Sequence, residues 1–408
     1  MTHQMNALRS TGADHADLFL GEIAAFDQFG RPTRTETLDE IPYFLNEYWT
    51  AAQRQSHALH EISYRACFKA ELPAFFIDRL SKPGDAILDP FMGRGTTLLE
   101  AALRGRRVYG NDINPLSALL IRPRLRSIEL QDVAEALKTV DWSAGETERE
   151  DLLAFYHPDT LRQLNSLRAW LAVRAPLNEP NPDPVADWIR MVALGRLSGH
   201  SPGFFSGRSM PPNQAVSIAA QNKINERLGL TPPVRDVAAQ IHRKSNSLLR
   251  QRCLDTPADQ MLCTGPAWDI DLPEASIDLV VTSPPFLDIV DYAADNWLRC
   301  WFAGIDPSSV AIDRHRTETA WQAMIGRVLT ELARLLRPGG FVAFEVGEVR
   351  NQTVLLERLV WDAAEQLPLR RLGVMVNAQE FTKTANCWGV ANGRKGTNTN
   401  RIVLFERV

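Results

Sequence analysis

A glycine-rich loop between a predicted strand and a predicted helix constrains the fold of this chain most strongly. Residues 88–97 read Leu-Asp-Pro-Phe-Met-Gly-Arg-Gly-Thr-Thr, after a turn and strand at 83–87 and before a helically spaced segment at 98–103. This order forms the nucleotide-binding unit of doubly wound α/β sheets. Gly93 and Gly95 allow a ligand to approach the backbone closely. No Gly-Lys-Ser/Thr follows, which excludes a Walker phosphate loop, and the G-x-G-x-x-G dinucleotide pattern is incomplete.

A second predicted strand, residues 107–112, ends on an acidic side chain. Asp112 lies 23 residues after Asp89. A carboxylate at the end of the second strand can accept hydrogen bonds from both ribose hydroxyls of an adenosine-containing cofactor. A solvated aspartate in a turn is the alternative. We predict the ribose contact for Asp112.

A proline turn follows the apolar run 277–281, which is typical of a buried strand. The turn reads Ser283-Pro284-Pro285-Phe286. Its two prolines end the strand and stiffen the turn, because proline has no N–H and a fixed φ. A small hydroxyl before the prolines and a ring after them can bind a flat molecule that carries an exocyclic amine. An ordinary strand-ending turn is the alternative for this motif alone.

Three motifs together resemble the amino-methyltransferases of DNA, which transfer a methyl group from S-adenosylmethionine to cytosine N4 or adenine N6. They are D-P-F-x-G-x-G-T-T at 89–97, N-D-I-N-P at 111–115 and T-S-P-P-F at 282–286. The resemblance covers roughly residues 55–120 and 260–408. It implies a Rossmann-like α/β fold, with a seven-stranded methyltransferase sheet, a C-terminal antiparallel hairpin at 372–376 and 401–406, and a mainly helical insert.

The resemblance also implies the residues that bind the cofactor. The family segment that packs over the methionine part of the cofactor matches 64–77, and the glycine loop and second strand supply the other contacts. The family commonly has Gly-Asp-Ala where this chain has Gly265-Pro266-Ala267, so the adenine contact is assigned either to the backbone near Ala267 or to Asp269. The remaining implied residues are Tyr64, Phe68, Asp89, Pro90, Phe91, Gly93, Gly95, Thr96, Thr97, Asp112, Ile113 and Asn114.

The proline turn supplies the implied catalytic residues Ser283, Pro284, Pro285 and Phe286. The Ser283 hydroxyl and the Pro284 carbonyl would accept hydrogen bonds from the target amine, and Phe286 would stack on the base. The family has Tyr more often at position 286, so the ring face is kept and a hydroxyl is lost. Serine at the first position resembles the N4-cytosine enzymes, whereas aspartate there resembles the N6-adenine enzymes. We find no strong general base in the sequence.

Three alternatives to a cytosine-N4 DNA methyltransferase stay open. Adenine N6 is an alternative target, because both serine and aspartate accept hydrogen bonds from an amine. An RNA amino-methyltransferase would use the same turn with folded RNA as the substrate. A DNA-binding protein on an inactive methyltransferase fold is disfavoured by the intact motifs.

Composition is that of a soluble globular protein. The chain has 408 residues, 45% of them hydrophobic and 23% charged. Its formal net charge is −4, so DNA binding would depend on local clusters of basic residues. No apolar stretch approaches the ~20 residues of a membrane helix, and the polar start lacks the apolar core of a signal peptide. We therefore expect a cytoplasmic protein.

The five cysteines are scattered and form no C-x-x-C pair or cluster with histidine at zinc-ligand spacing. We predict reduced thiols and no metal site. Cytosine C5 methylation requires an attacking thiolate, usually in a Pro-Cys turn, and this chain has no Pro-Cys dipeptide. An exocyclic amine is the expected methyl acceptor.

The spacing of the motifs predicts the domain organisation. The cofactor loop and the proline turn are 194 residues apart, so a long insert must lie between them. We predict an N-terminal extension at 1–54, a cofactor half at 55–124, a helical insert for target recognition at 125–258 and a catalytic half at 259–408. Residues 1–40 are expected to be partly loose, and 41–49 to form an aromatic helix or turn packed on the catalytic domain.

Duplex DNA with a specific recognition sequence is the implied substrate, and a base inside a duplex must be flipped out to reach the turn. A cognate restriction endonuclease is a candidate functional partner, and the oligomeric state stays open. Arg122, Arg124 and Arg126 are expected to form an exposed rim or to touch phosphate. The irregular loop 199–212 either exposes its phenylalanines over a cleft or plugs the helical core with them. The predicted DNA contacts are Arg208, Arg243, Lys244, Arg250, Lys383, Arg394, Lys395 and Asn398.

Overall fold

The computed structural model describes residues 12–50, 57–64, 67–146, 149–209, 215–251, 260–287, 292–310, 312, 315–347, 349, 354–379 and 398–408. The strands are β1 Arg34–Leu38, β2 Ile41–Asn46, β3 Ala86–Asp89, β4 Arg107–Asp112, β5 Met261–Thr264, β6 Ile277–Thr282, β7 Leu336–Val346, β8 Leu369–Gln379 and β9 Asn398–Arg407. The helices are α1 Gly12–Ala24, α2 Glu71–Leu80, α3 Thr96–Leu103, α4 Pro115–Ile121, α5 Leu130–Lys138, α6 Pro158–Arg174, α7 Pro184–Leu194, α8 Ile218–Leu228, α9 Val237–Leu249, α10 Tyr292–Ala303, α11 Glu318–Leu335 and α12 Leu356–Ala363.

The described strands form one mixed sheet in the order β1-β2-β8-β9-β7-β6-β3-β4-β5. β3 pairs in parallel with both β4 and β6, while β4 pairs in parallel with β5 and β6 with β7. The chain therefore builds outward from β3 on one side and, after the insert, from β6 on the other. The neighbouring ends of β3 and β6 form a topological switch point, where doubly wound sheets bind their ligands.

The seven strands from β8 to β5 confirm the predicted α/β class. β9 runs antiparallel to both β7 and β8, which confirms the C-terminal antiparallel hairpin. The loop that joins its two strands, with predicted DNA contacts Lys383, Arg394 and Lys395, lies outside the described residues.

Two N-terminal strands extend the sheet beyond the seven that we predicted. β2 pairs in parallel with β8, and β1 pairs antiparallel with β2. The expectation of an aromatic helix or turn at 41–49 is wrong. The alternating side chains of β2 bury one face against the sheet, with Ile41 4% and Tyr43 4% exposed.

The expectation of a partly loose segment before residue 40 is also wrong for its described part. α1 packs Ala16, Phe19 and Ile23 into the core, and all three are at most 3% exposed. The rings of Tyr48 and Trp49 lie 5.7 and 5.6 Å from that of Phe75, and both residues are buried. The aromatic segment therefore packs on the catalytic domain, as predicted.

Apolar side chains cover both faces of the sheet. From residue 279 to 281 the side chains of β6 alternate between two clusters: Leu279 and Val281 belong to one and Val280 to the other. Ile277, before a register shift in the strand, belongs with Val280. Because both faces are covered, the central strands are continuous apolar runs rather than alternating ones. α11 and α12 cover the second face, whereas α1 to α4 and α10 pack on the first.

The insert is mainly helical, as predicted, and contains α5 to α9. His157, Asp183 and Asp236 cap α6, α7 and α9 by accepting hydrogen bonds from backbone N–H groups. Its buried residues, among them Leu161 and Trp188, belong to the same apolar cluster that covers the first face of the sheet. The described helices of the insert therefore share the core of the catalytic domain, and the boundaries at 125 and 258 stay predictions.

The structure decides between the sequence interpretations of the 199–212 loop, inside the insert, and of the arginines that precede the insert. Phe205 is 0% exposed, so the described part of the 199–212 loop plugs the helical core. The exposed arginine rim is wrong for Arg122 and Arg124. Arg124 is 1% exposed, and Arg122 donates two hydrogen bonds, of 2.7 and 2.9 Å, to the buried carboxylate of Asp187. No helix in the described ranges is long and apolar enough to span a membrane.

Candidate active site

A cavity of about 340 Å³ lies at the switch point between β3 and β6. This volume falls within the ~300–1,000 Å³ of small-molecule sites. It runs from the glycine loop to the proline turn, so one cavity joins the two motifs. The predicted residues that line it are Tyr64, Phe68, Asp89, Pro90, Phe91, Gly93, Thr96, Asp112, Ile113, Asn114, Ala267, Ser283 and Pro285.

The glycine loop has a backbone conformation that favours glycine at two positions. Gly93 and Gly95 have φ values of 48° and 81°, which L side chains rarely adopt. A Cβ on Gly95 would lie 2.5 Å from Cγ1 of Ile121. Gly95 is the N-cap of α3, and it fixes the turn from behind rather than lining the cavity.

Two carboxylates stand at the glycine-loop end of the cavity: Asp89 is buried and Asp112 is half-buried. Asp112 accepts hydrogen bonds from the Gly93 N–H at 2.8 Å and the Asn114 N–H at 2.9 Å. Asp89 accepts from the Phe91 N–H at 3.1 Å and the Thr282 hydroxyl at 2.6 Å. Burial raises the pKa of Asp89 to about 7 and also raises the pKa of Asp112, against the opposing effect of these hydrogen bonds.

Hydrogen bonds join the glycine loop to the strand that carries the proline turn. Thr282, the residue before Ser283, donates to Asp89, and Thr97 donates to the carbonyl of Val281 at 3.0 Å. Thr97 is 0% exposed and does not line the cavity. A shift of the cofactor loop would therefore move the end of β6 as well.

A third carboxylate, which the sequence analysis missed, is buried at the proline turn. The Ser283 hydroxyl donates to Oε2 of Glu345 at 2.5 Å, and Asn400 Nδ2 donates to Oε1 at 3.0 Å. Glu345 is 4% exposed, and burial raises its pKa against the opposing effect of both hydrogen bonds. The available signal was one acidic residue in the otherwise apolar strand Phe-Val-Ala-Phe-Glu-Val.

A hydrogen bond from α11 holds the rest of the proline turn. The indole N–H of Trp321 donates to the Pro285 carbonyl at 2.9 Å. Pro284 is buried, and Phe286 is partly exposed beside the cavity. A Cβ on Gly347 would lie 2.6 Å from the Phe286 ring, so this glycine leaves the space that the ring occupies.

The two candidates for the adenine contact are placed differently. Ala267 is 4% exposed and lines the cavity together with Pro266 and Trp268. Asp269 is exposed and does not belong to the lining among the described residues. Lining residues that the sequence analysis did not name as contacts are Cys67, Met92, Arg94, Pro266, Trp268, Ile312 and Met324.

Only some of the predicted DNA contacts are exposed among the described residues. Arg208, Arg243 and Arg250 are exposed on the insert. Lys244 has another partner, because its ammonium pairs with the carboxylate of Glu61 and its side chain is only 18% exposed. Asn398 begins β9, and its side chain is not among those described.

The described cysteines carry free thiols that ionise less readily than an exposed cysteine. They are Cys67, Cys263 and Cys300, and burial raises the pKa of each, that of Cys300 to about 11. Within the described residues, no three His, Cys, Asp or Glu side chains are grouped to hold a metal ion. Cys253 and Cys387 lie outside the described residues.

Comparisons with known proteins point to the same motifs. A family described as DNA methylase matches residues 30–120. The chain is 35% identical over 81 residues to the Type II methyltransferase M.MjaII of Methanocaldococcus jannaschii. This match covers 20% of this chain and 15% of that protein. It is 23% identical over 305 residues to the Type II methyltransferase M.BsoBI of Geobacillus stearothermophilus. This match covers 67% of this chain and 58% of that protein.

Solved structures show a looser likeness. A putative DNA modification methylase from Thermus thermophilus, complexed with S-adenosyl-L-methionine, is 22% identical with a TM-score of 0.23. That match covers 35% of this chain and 53% of that one. The chain thus spans between about a seventh and three fifths of the length of the proteins named here.

Proposed function

The chain belongs to the DNA amino-methyltransferase family, and on that premise we propose that it methylates the exocyclic N4 amine of a cytosine flipped out of duplex DNA. The observation that carries the proposal is the single cavity that joins the glycine loop to Ser283, whose hydroxyl is held by the buried Glu345. S-adenosylmethionine is the cofactor of this family. When bound, it supplies an activated methyl group on a good leaving group.

The cofactor end of the cavity suits a ligand with hydroxyls and positive charge. The carboxylates of Asp89, which is buried, and Asp112, which is half-buried, have no basic partner among their described hydrogen bonds, and both have a raised pKa. A ligand that donates hydrogen bonds or carries positive charge would relieve their desolvation. Asp112 is the proposed ribose contact, and Ala267 and Trp268 flank the proposed adenine position.

Ser283 and Glu345 give the target amine a defined acceptor. Because the Ser283 hydroxyl donates its proton to ionised Glu345, the lone pairs of its oxygen are available for an N–H of the base. Accepting that N–H draws the nitrogen toward a tetrahedral geometry and turns its own lone pair to the methyl group. Orientation of this kind can lower the barrier by several kcal/mol, up to about 7–11 kcal/mol in the most favourable cases.

The same pair provides a route for the proton that the methylated amine must lose. The N–H bond breaks as Ser283 takes that proton, and Ser283 passes its own proton to Glu345. A carboxylate with a raised pKa accepts a proton more readily than an exposed one. This supplies the general base that was not found in the sequence.

One experiment in cells tests both the identity of the methylated base and the type of nucleic acid that carries it. DNA from cells that express the protein is sequenced for modified bases, beside a Ser283→Ala control and an exposed-serine control, Ser309→Ala. N4-methylcytosine at one fixed motif, absent only with Ser283→Ala, is the expected result. N6-methyladenine would keep the mechanism and overturn the base assignment. An unmodified genome together with methylated RNA would overturn the DNA substrate. A nuclease specific for the same motif is the proposed functional partner.

A further inference from the structure

An irregular segment covers one side of the cavity and depends on other elements for its hydrogen bonds. We call residues 57–69 the strap, of which 57–64 and 67–69 are described. It begins with a short 3₁₀ turn at Ala58–Glu61, and its described part has no regular structure from there to α2. Tyr64, Cys67 and Phe68 of the strap line the cavity. A buried backbone outside helices and sheets requires side-chain partners for its carbonyl groups.

Arg94 of the glycine loop holds the middle of the strap. Its Nη1 donates to the carbonyls of His60 at 3.1 Å and Ile62 at 2.8 Å, and its Nη2 to that of Phe68 at 3.4 Å. The guanidinium itself lines the cavity. The loop that starts the cofactor site therefore also secures the segment that covers it.

Arg124 and Arg299 also hold the strap, and neither of them lines the cavity. Arg124, 1% exposed, donates to the carbonyls of Leu59 at 2.9 Å and Arg94. Arg299, 8% exposed, donates to the carbonyl of Ser63 at 2.6 Å. Arg299 stands on α10, the first helix after the proline turn, and its guanidinium lies 5.8 Å from the centre of the Tyr64 ring. The strap is thus tied to both halves of the site.

These guanidinium charges have no carboxylate partner in the described part of the chain. None of the three arginines forms an ion pair with an acidic side chain there, since all their acceptors are carbonyl, hydroxyl or amide oxygens. The acidic groups on the strap and on α3 have other partners: Glu61 pairs with Arg196 and Lys244, and Glu100 is bonded to His60 and Arg104. Burial lowers the pKa of Arg124 to about 9 and lowers that of Arg299. Of the three arginines only Arg94 lines the cavity, and positive charge in a cavity wall attracts an anion.

We propose that Arg94, Arg124 and Arg299 are positioning residues that hold the strap across the amino-acid end of the cofactor and favour its carboxylate there. This inference rests on the proposed assignment of the cavity to S-adenosylmethionine. It predicts that loss of one strap arginine weakens ligands that carry the amino-acid group and spares ligands that lack it. A purely structural role would weaken both kinds of ligand together.

Arg299 is the best position for the test, because it holds the strap without lining the cavity. We compare Arg299→Met with Arg190→Met, which removes an equally buried arginine (3% exposed) that donates to the carbonyls of Leu171 and Ala175 in the insert. Calorimetry measures the affinity of each folded protein for S-adenosylhomocysteine, decarboxylated S-adenosylmethionine and 5′-methylthioadenosine. Arg299→Met is expected to weaken S-adenosylhomocysteine by about tenfold and the other two ligands by less than about twofold.

The control and the outcomes separate this inference from the proposed function. Arg190→Met should lower the melting temperature and leave all three affinities within about twofold. Equal weakening of all three ligands by Arg299→Met, or no weakening at all, would overturn the strap proposal. Wild-type protein that binds none of them would overturn the cofactor assignment instead. If Arg299→Met does not fold, Arg299→Lys, which keeps the charge and loses the forked donor geometry, is tested with the same ligands and the same criteria.

Discussion

Asp112 and Glu345, at the two ends of the cavity, are held in different ways. At the cofactor end, Asp112 is held by the backbone N–H groups of Gly93 and Asn114, which lie within 19 residues of it. At the other end, Glu345 is held by the side chains of Ser283, which follows β6, and Asn400 of β9, which lie up to 62 residues away. A carboxylate held by backbone groups tolerates side-chain changes around it. A carboxylate held by side chains depends on each of them, so the catalytic end should be the more fragile.

Removing the charge of Glu345 should produce the largest effect. In Glu345→Gln, the amide can donate to Ser283, so the hydroxyl no longer turns its lone pairs to the base and the proton route is lost. We expect kcat to fall about 10²–10³-fold with the affinity for S-adenosylmethionine changed by less than about twofold. Steady-state kinetics with DNA and calorimetry with the cofactor measure the two quantities.

A matched control for this change is available on β9. Glu406 is 3% exposed and is paired with Arg370 near the opposite end of the sheet. Glu406→Gln should lower stability and leave kcat nearly unchanged. Equal losses of kcat in the two variants would show that Glu345 acts through stability alone.

Replacing Gly95 by alanine should disturb the cofactor end of the cavity, because it strains the backbone of the glycine loop. Gly95→Ala combines a left-handed φ with a contact of 2.5 Å to Ile121, so we expect a loss of about 2–5 kcal/mol in the free energy of unfolding and a weaker cofactor affinity. Gly84→Ala is the control, because Gly84 also has a positive φ of 88° but has open space around it. It should cost only about 1–2 kcal/mol. Chemical denaturation compares them, and equal costs would refute the steric argument.

Filling Gly347 should disturb the catalytic end without touching the cofactor end. A methyl group there would displace the ring of Phe286, the residue that we propose stacks on the base. We expect kcat to fall about tenfold in Gly347→Ala, since small misplacements are costly in a positioned site. The affinity for S-adenosylhomocysteine should stay unchanged, and a parallel loss of that affinity would contradict a separation of the two ends.

The pH dependence of cofactor binding should give the smallest effect. Burial raises the pKa of Asp89 to about 7, so its carboxyl is neutral below that pH and ionised above it. The ionised form attracts a cationic ligand, so affinity should rise with pH through 7 and be up to about tenfold weaker at pH 6 than at pH 8. Asp89→Asn removes this titration and leaves only that of the cofactor. Identical pH profiles in calorimetry would exclude Asp89 as the titrating group.

Sequence reasoning succeeded where contacts are local. Asp112 lies beside the glycine loop because β3, the loop, α3 and β4 follow one another directly along the chain, and this order is visible in the sequence. It failed for β2, because the partner strand β8 lies more than 300 residues further along the chain. It also placed Arg124 on an exposed rim, since nothing near that residue shows that it bonds to Leu59, 65 residues earlier.

The catalytic end shows the same limit. Ser283 and Phe286 were identified from their motif, whereas Glu345 was missed because only the pairing of β6 with β7 brings it to Ser283. Asp269 was proposed as an adenine contact by its nearness to a family position, and the turn at Pro266–Asp269 leaves it exposed. Side chains that act across strands therefore have to be found in three dimensions.

Methyl transfer by purified protein tests the central claim most directly. Duplex DNA is incubated with the protein and S-adenosylmethionine carrying a deuterated methyl group, and the released nucleosides are analysed by mass spectrometry. The account predicts labelled N4-methylcytosine with wild-type protein and none with Ser283→Ala, while both bind the cofactor equally. Labelled N6-methyladenine, or full labelling of cytosine by Ser283→Ala, would contradict it.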